Sequence, residues 1–153
     1  MGYCMHLRES TASFKKKNSK KVLKAIQELH GKETIEDGKV IGTKEDGSNK
    51  WPNQHFSWID DNFYKIRNIK EMFAEWRWGI ILDGNNYDIT EYLGEKLGDE
   101  VVLFNAIAPY MNDGEIIMQG EDGTMWKWRF KDGEFKEIGV RDIMWDDDYH
   151  LRQ

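Results

Sequence analysis

The segment GEIIMQGEDGTMWKWRFKDGEFKEI, residues 114–138, leaves this chain fewer choices than any other part of it. Its three runs EIIMQ, TMWKWRF and EFKEI are parted by GEDG and KDG, and Asp-Gly between alternating apolar runs is a strong short-range hairpin signal. A three-strand meander follows. Because side chains alternate along a strand, Trp126, Trp128 and Phe130 share one face, while Lys127, Arg129 and Lys131 share the other. The aromatic row is expected to be core. The three cations are expected to stand out from the opposite face, there to pair with Glu134 and Glu137 across the hairpin or to meet a partner.

A meander buries one face only against something else, and the rest of the chain supplies it. GYCMHLRE alternates Tyr3, Met5 and Leu7 with Cys4, His6 and Arg8, the period of a half-buried strand. From Asn18 the spacing changes: Val22, Leu23, Ile26 and Leu29 recur at helical intervals, Asn18 or Ser19 can cap, and Gly31 stops the run. Lys20, Lys21 and Lys24 fall away from that stripe, so the basic cluster over 15–24 becomes an outer helix face. Residues 31–54, with four glycines and a proline, read as turns and a mobile loop with a short strand near 39–41. HFSWID reads as a second strand with Phe56 and Trp58 on one side. NIKEMFAEW sets Asn68 and Glu71 at capping-box spacing, with Ile69, Met72, Phe73 and Trp76 on one helix face. IILDGNNYDIT reads as a hairpin, and LGDEVVLFNAIAPY as a third helix started at Asp99 and ended near Pro109.

No repeat, linker or composition break divides the 153 residues, so 1–153 is read as a single α+β domain: an antiparallel sheet with a C-terminal meander, packed by about three helices. Its N-terminal strand and helix order has a ferredoxin-like character. Aromatics make up 13% of the chain, seven of them tryptophan, so few large side chains are expected to fill the core. No apolar run approaches the ~20 residues that span a bilayer, and the start MGYCMHLRES has neither a signal-peptide pattern nor the Ser or Thr of a myristoylation site. A cytoplasmic protein without a membrane partner is expected.

The chemistry-bearing residues form no catalytic pattern. The lone Cys4 allows no internal disulfide and reads as a small apolar residue in its strand. His6, His30, His55 and His150 include no pair at the spacing of a helical zinc site, and DGSNKW and DGNNYD lack the register of a calcium loop. Asp60 and Asp61, and Glu121 and Asp122, sit where catalytic carboxylates occur, but carboxylates are also good turn formers. GEDG lacks the Lys-Ser/Thr pair of a phosphate loop. No cofactor and no metal are expected.

Charge is the remaining signal. Residues 1–30 hold seven cations against Glu9 and Glu28, a net +5, which leaves −11 for the rest of a chain whose total is −6. Lys15, Lys16, Lys17, Lys20, Lys21 and Lys24 could neutralise phosphates, which makes a nucleic-acid-associated protein one reading. An acidic body carrying rigid aromatics can instead fill a basic cleft on another protein, with Asp146, Asp147 and Asp148 of DDDYH among its contacts. A small metal-dependent hydrolase is the third and weakest reading.

MGYCMHLRES, EKLGDEVVLFNAIAPYM, EIIMQGEDGTMWKWRF and DGEFKEI together resemble small uncharacterised proteins encoded by phages, prophages and other mobile elements. The resemblance covers most of the chain outside 31–54 and implies context rather than mechanism. Accessory proteins of this size on such elements often bind and disable host machinery, including defence nucleases. The expectation is therefore a non-catalytic interaction module with an anti-defence role, binding a host protein through acidic and aromatic surface.

Overall fold

A computed structural model of the chain describes residues 2–30 and 56–139 in full, together with the backbone of 32–36 and 39–43. The fold is α+β and has one domain. The meander forms as its turns dictate: β7 (Gly114–Gly120), β8 (Met125–Lys131) and β9 (Glu134–Ile138) run antiparallel in sequence order. At the second turn both central residues, Asp132 and Gly133, have positive φ, 52° and 79°, the conformation that Asp-Gly supplies to a tight hairpin. β1 (Met5–Ser10) adds to the free edge of β7, with a register shift between Leu7 and Glu9, and completes a four-stranded sheet.

A second sheet holds β2 (Ser13–Lys15), β6 (Asn86–Tyr92) and β5 (Trp78–Asp83), in the order β2-β6-β5. The β5–β6 hairpin turns at Gly84, φ 61°. The chain steps from one sheet to the other at Ser10–Ala12, where the Ser10 hydroxyl donates to the Ile89 carbonyl and the Ile89 amide donates to Ala12. Two consecutive N-terminal strands thus belong to two sheets. That arrangement departs from the expected ferredoxin-like start, in which they would share one. A third ribbon, β3 (Lys32–Glu36) with β4 (Lys39–Thr43), occupies part of the segment read as a loop. The strand expected at 39–41 is there, paired with one that was not expected.

Helices α1 (Ser19–Gln27), α2 (Ile69–Glu75) and α3 (Glu100–Ile107) pack together and against the sheets. The Asn68 side chain caps α2 by accepting from the Glu71 amide at 3.0 Å. Val22, Ile26, Ile69, Met72, Phe73, Leu103 and Ile107 are buried, as the helical spacing required. They meet the aromatic row of the meander: Trp126, Trp128 and Phe130 are 9%, 0% and 1% exposed, so the row is core. Phe104 of α3 lies 5.2 Å from Trp128 and 5.5 Å from Phe130, and Trp78 of β5 lies 6.1 Å from Trp128. One aromatic cluster therefore joins α3 to both sheets.

The run HFSWID does not form a strand over its described part. Phe56 packs inward against Phe63 and Trp76, but residues 57–62 turn, and Trp58 is exposed at φ 70°. The alternation was a coincidence of two residues. The carboxylate of Asp99 accepts the Ser57 amide at 2.6 Å, and Asp60 accepts the Asn62 amide at 2.7 Å, so side chains take the backbone donors a ladder would have used.

Candidate functional site

Trp58 is the most exposed aromatic side chain among the described residues, at 55%. Its backbone is in the left-handed region, which a bulky residue enters at a cost of ~1–3 kcal/mol. What holds it there is polar: the Ser57 amide on Asp99, and the Ile59 amide donating to the Phe56 carbonyl at 3.1 Å. The turn is anchored underneath by buried Phe56, Ile59 and Phe63. A strained turn on a rigid base thus points an indole at solvent.

Beside it a shallow hollow of about 240 Å³ is lined by Trp58, Arg77, Gly94, Glu95 and Lys96. Leu93 and Leu97, exposed at 51% and 39%, bracket Gly94–Lys96 in the chain. Gly98 keeps the approach close, since a Cβ there would lie 2.9 Å from the indole Cδ1. Asp60 and Asp61, both exposed, follow Trp58 closely in the chain, Asp99 holds the Ser57 amide, and exposed Glu95 lines the hollow beside Arg77 and Lys96. The Glu75 carboxylate accepts the Asp60 amide at 2.9 Å.

The floor is an ion pair. Arg77 follows α2 in a left-handed turn, φ 73°, its amide donating to Ala74 and its guanidinium to Glu100 and, at 2.7 Å, to the Lys96 carbonyl. Glu100 is 2% exposed and also accepts the Gly98 amide at 2.6 Å. Burial raises its pKa against the opposing pull of Arg77. Burial likewise raises the Tyr92 hydroxyl, whose ring lies under the Arg77 guanidinium and whose OH donates to the Lys96 carbonyl at 2.6 Å. These contacts fix Lys96 and Gly98 from below. They form a girder beneath the Trp58 surface, with every carboxylate oxygen of Glu100 engaged.

The residues singled out in the sequence are distributed otherwise. Lys127, expected to stand out of the meander, is 0% exposed: its ammonium lies 3.3 Å from Glu115 of β7, and its stem runs between its register neighbours Ile117 and Ile138, both buried. Arg129 is half-buried and donates to the same carboxylate at 2.7 Å, while Lys131 is exposed. The pairing thus crosses to Glu115 on the preceding strand; Glu137, expected to meet the cations, instead accepts from the Trp128 indole at 2.6 Å. Asp146, Asp147 and Asp148 lie outside the described residues. Lys15 ends β2, Lys16 and Lys17 form a 3₁₀ turn, and Lys20, Lys21 and Lys24 lie on α1, so the basic cluster is not one helix face. All six are exposed.

Of the carboxylates weighed as acids or bases, Asp60, Glu121 and Asp122 accept backbone amides. Glu121 accepts the Cys4 amide at 2.7 Å; Asp122 accepts the Tyr3 hydroxyl and the Thr124 amide, and the Tyr3 bond holds its pKa down. Among the described residues no group of three His, Cys, Asp or Glu is placed to hold a metal ion, and no helix is long and apolar enough to cross a membrane. Sequence reasoning passed over Arg77 and Glu100, because an arginine after a helix and a glutamate in a first turn both look like ordinary surface residues. Comparison of the chain with protein-family models, curated proteins and solved structures finds no match.

Proposed function

We propose that the chain is a non-catalytic interaction module, an accessory protein of a phage or other mobile element, that binds a basic host protein through the acidic and aromatic surface around Trp58. The observation that carries this reading is the exposed, left-handed Trp58. A rigid indole with two exposed leucines beside it has the make-up of an interface hot spot, and truncating one such residue commonly costs 2 kcal/mol or more. The surrounding carboxylates select the partner's sign. They complement lysine- and arginine-rich surface and steer its approach, as the −11 carried outside residues 1–30 does at longer range. The mobile-element setting and the anti-defence role rest on the resemblance of the quoted segments.

Trp58→Gly separates binding from folding. Glycine accepts φ 70° without strain and removes an exposed side chain, so its gain offsets the entropy it restores to the unfolded chain. The variant is expected to keep the wild-type melting temperature to within about 3 °C. In host extract, immobilised wild-type chain is expected to retain a basic protein that the variant holds roughly 30-fold more weakly, with retention falling as salt rises. A basic partner held equally by both proteins would refute the reading.

A further inference from the structure

We propose that the chain carries a second, independent site: a groove that takes the phosphate backbone of duplex nucleic acid without reading its bases. A depression of about 940 Å³ is lined by Lys15, Lys16, Lys17, Ser19, Lys20, Asn85, Asn86 and Tyr87. Its walls come from two places far apart in sequence. One is the end of β2, the 3₁₀ turn and the first residues of α1; the other is the β5–β6 hairpin turn. They are tied by the Lys15–Asn86 register pair and by the Lys16 amide donating to the Asn85 carbonyl at 2.8 Å. The lysines are thus brought together by tertiary pairing rather than by one helix face. Lys21 and Lys24, on the same helix, are left out.

Three features of the groove point to phosphate. No lining residue is acidic, and among the described residues none of its four lysines is in an ion pair, although the chain as a whole is acidic. Concentrating four cations in one concavity raises the local potential that an anion would meet. The amides of Asn85 and Asn86 stand at the opposite wall, and Asn86 Oδ1 is already engaged by Asn112 at 3.0 Å, which turns the Asn86 NH₂ donor away from that bond. The hollow is far larger than one phosphate needs, so it suits a run of them.

The groove also tells against base contact. Tyr87, its one aromatic, is half-buried with one face of its ring stacked on Phe14 at 5.4 Å, so the groove holds no exposed aromatic side chain. Proteins that hold single strands use exposed aromatic faces for stacking. A lysine groove without one fits a duplex, whose phosphates are presented at fixed spacing and whose bases stay paired.

Fluorescence anisotropy of a labelled random-sequence duplex tests this. Four phosphate contacts give a log–log salt slope of about −3.6, roughly a 150-fold loss of affinity between about 50 and 200 mM salt, from a roughly micromolar start. Lys16→Gln/Lys17→Gln/Lys20→Gln is expected to reduce the slope to about −0.9 and the loss to roughly 3.5-fold. Lys21→Gln/Lys24→Gln is expected to bind as wild type does, and so is Trp58→Gly, which keeps this site's failure distinct from that of the Trp58 surface. No duplex binding at low salt would overturn the proposal. So would equal loss in the Lys21/Lys24 variant, which would reduce the effect to net charge, or tighter retention on phosphatidylserine vesicles than on duplex through the same lysines.

Discussion

At the scale of single residues, two of the side chains that depart from what their types usually do are in contact through Gly98. Trp58 is large and apolar yet exposed at 55%, and Glu100 is charged yet 2% exposed. Glu100 with Arg77 fixes Gly98 and the Lys96 carbonyl, and that fixed backbone is the ground beside which the indole stands. Desolvation raises the pKa of Glu100, so its folded form binds a proton where the unfolded chain, near pH 4.3, has released it. A raised carboxyl pKa favours the fold below that value, and the contribution is lost as pH rises through the folded pKa. Glu100→Gln has no such titration. The stability of wild type minus that of the variant, from urea unfolding, is therefore expected to be larger at pH 4 than at pH 7; the opposite trend would mean that Arg77 outweighs desolvation.

At the scale of elements, turn chemistry and side-chain period decided what the sequence could disclose. The meander was legible to its ends because seven-residue alternation and two Asp-Gly turns agree. Gly133→Ala places a Cβ at φ 79° and is expected to cost about 1 kcal/mol, whereas Gly139→Ala, with open space around it and no positive φ, is expected to leave the denaturation midpoint unchanged. The helices were legible for the same reason, since their apolar stripes repeat over two or more turns. What escaped was short or was decided by distant partners. β2 has three residues, too few for a period, and exists because β6 offers it an edge. HFSWID supplied a false alternation, and the side chains that make it a turn, Asp99 above all, lie some forty residues on. Lys127 looked like its neighbours Arg129 and Lys131 by position, but only the registry with Ile117 and Ile138 reveals that its stem is enclosed. The lysine groove needed the β5–β6 turn to be placed against the start of α1, which no local spacing encodes.

At the scale of the whole molecule, the charge asymmetry read from the sequence resolves into two surfaces of opposite character. Cations gather where β2, the 3₁₀ turn and α1 meet the β5–β6 hairpin, and Asp60, Asp61, Glu75, Glu95 and Asp99, with Arg77 and Lys96 among them, lie around Trp58 at the far end of α2 from its cap. The aromatic core between them, built on Trp78, Phe104 and Trp128, holds both on one folded unit. The activity proposed for each surface is binding. The proposed function puts a protein partner on the Trp58 surface. Hydrogen–deuterium exchange of the chain, free and in complex with the basic protein it retains, locates that meeting directly. Exchange is expected to slow at residues 57–61 and 93–98, with the lysine groove and the meander unchanged. Protection confined to the meander or to residues 15–20, with 57–61 exchanging as in the free chain, would contradict it.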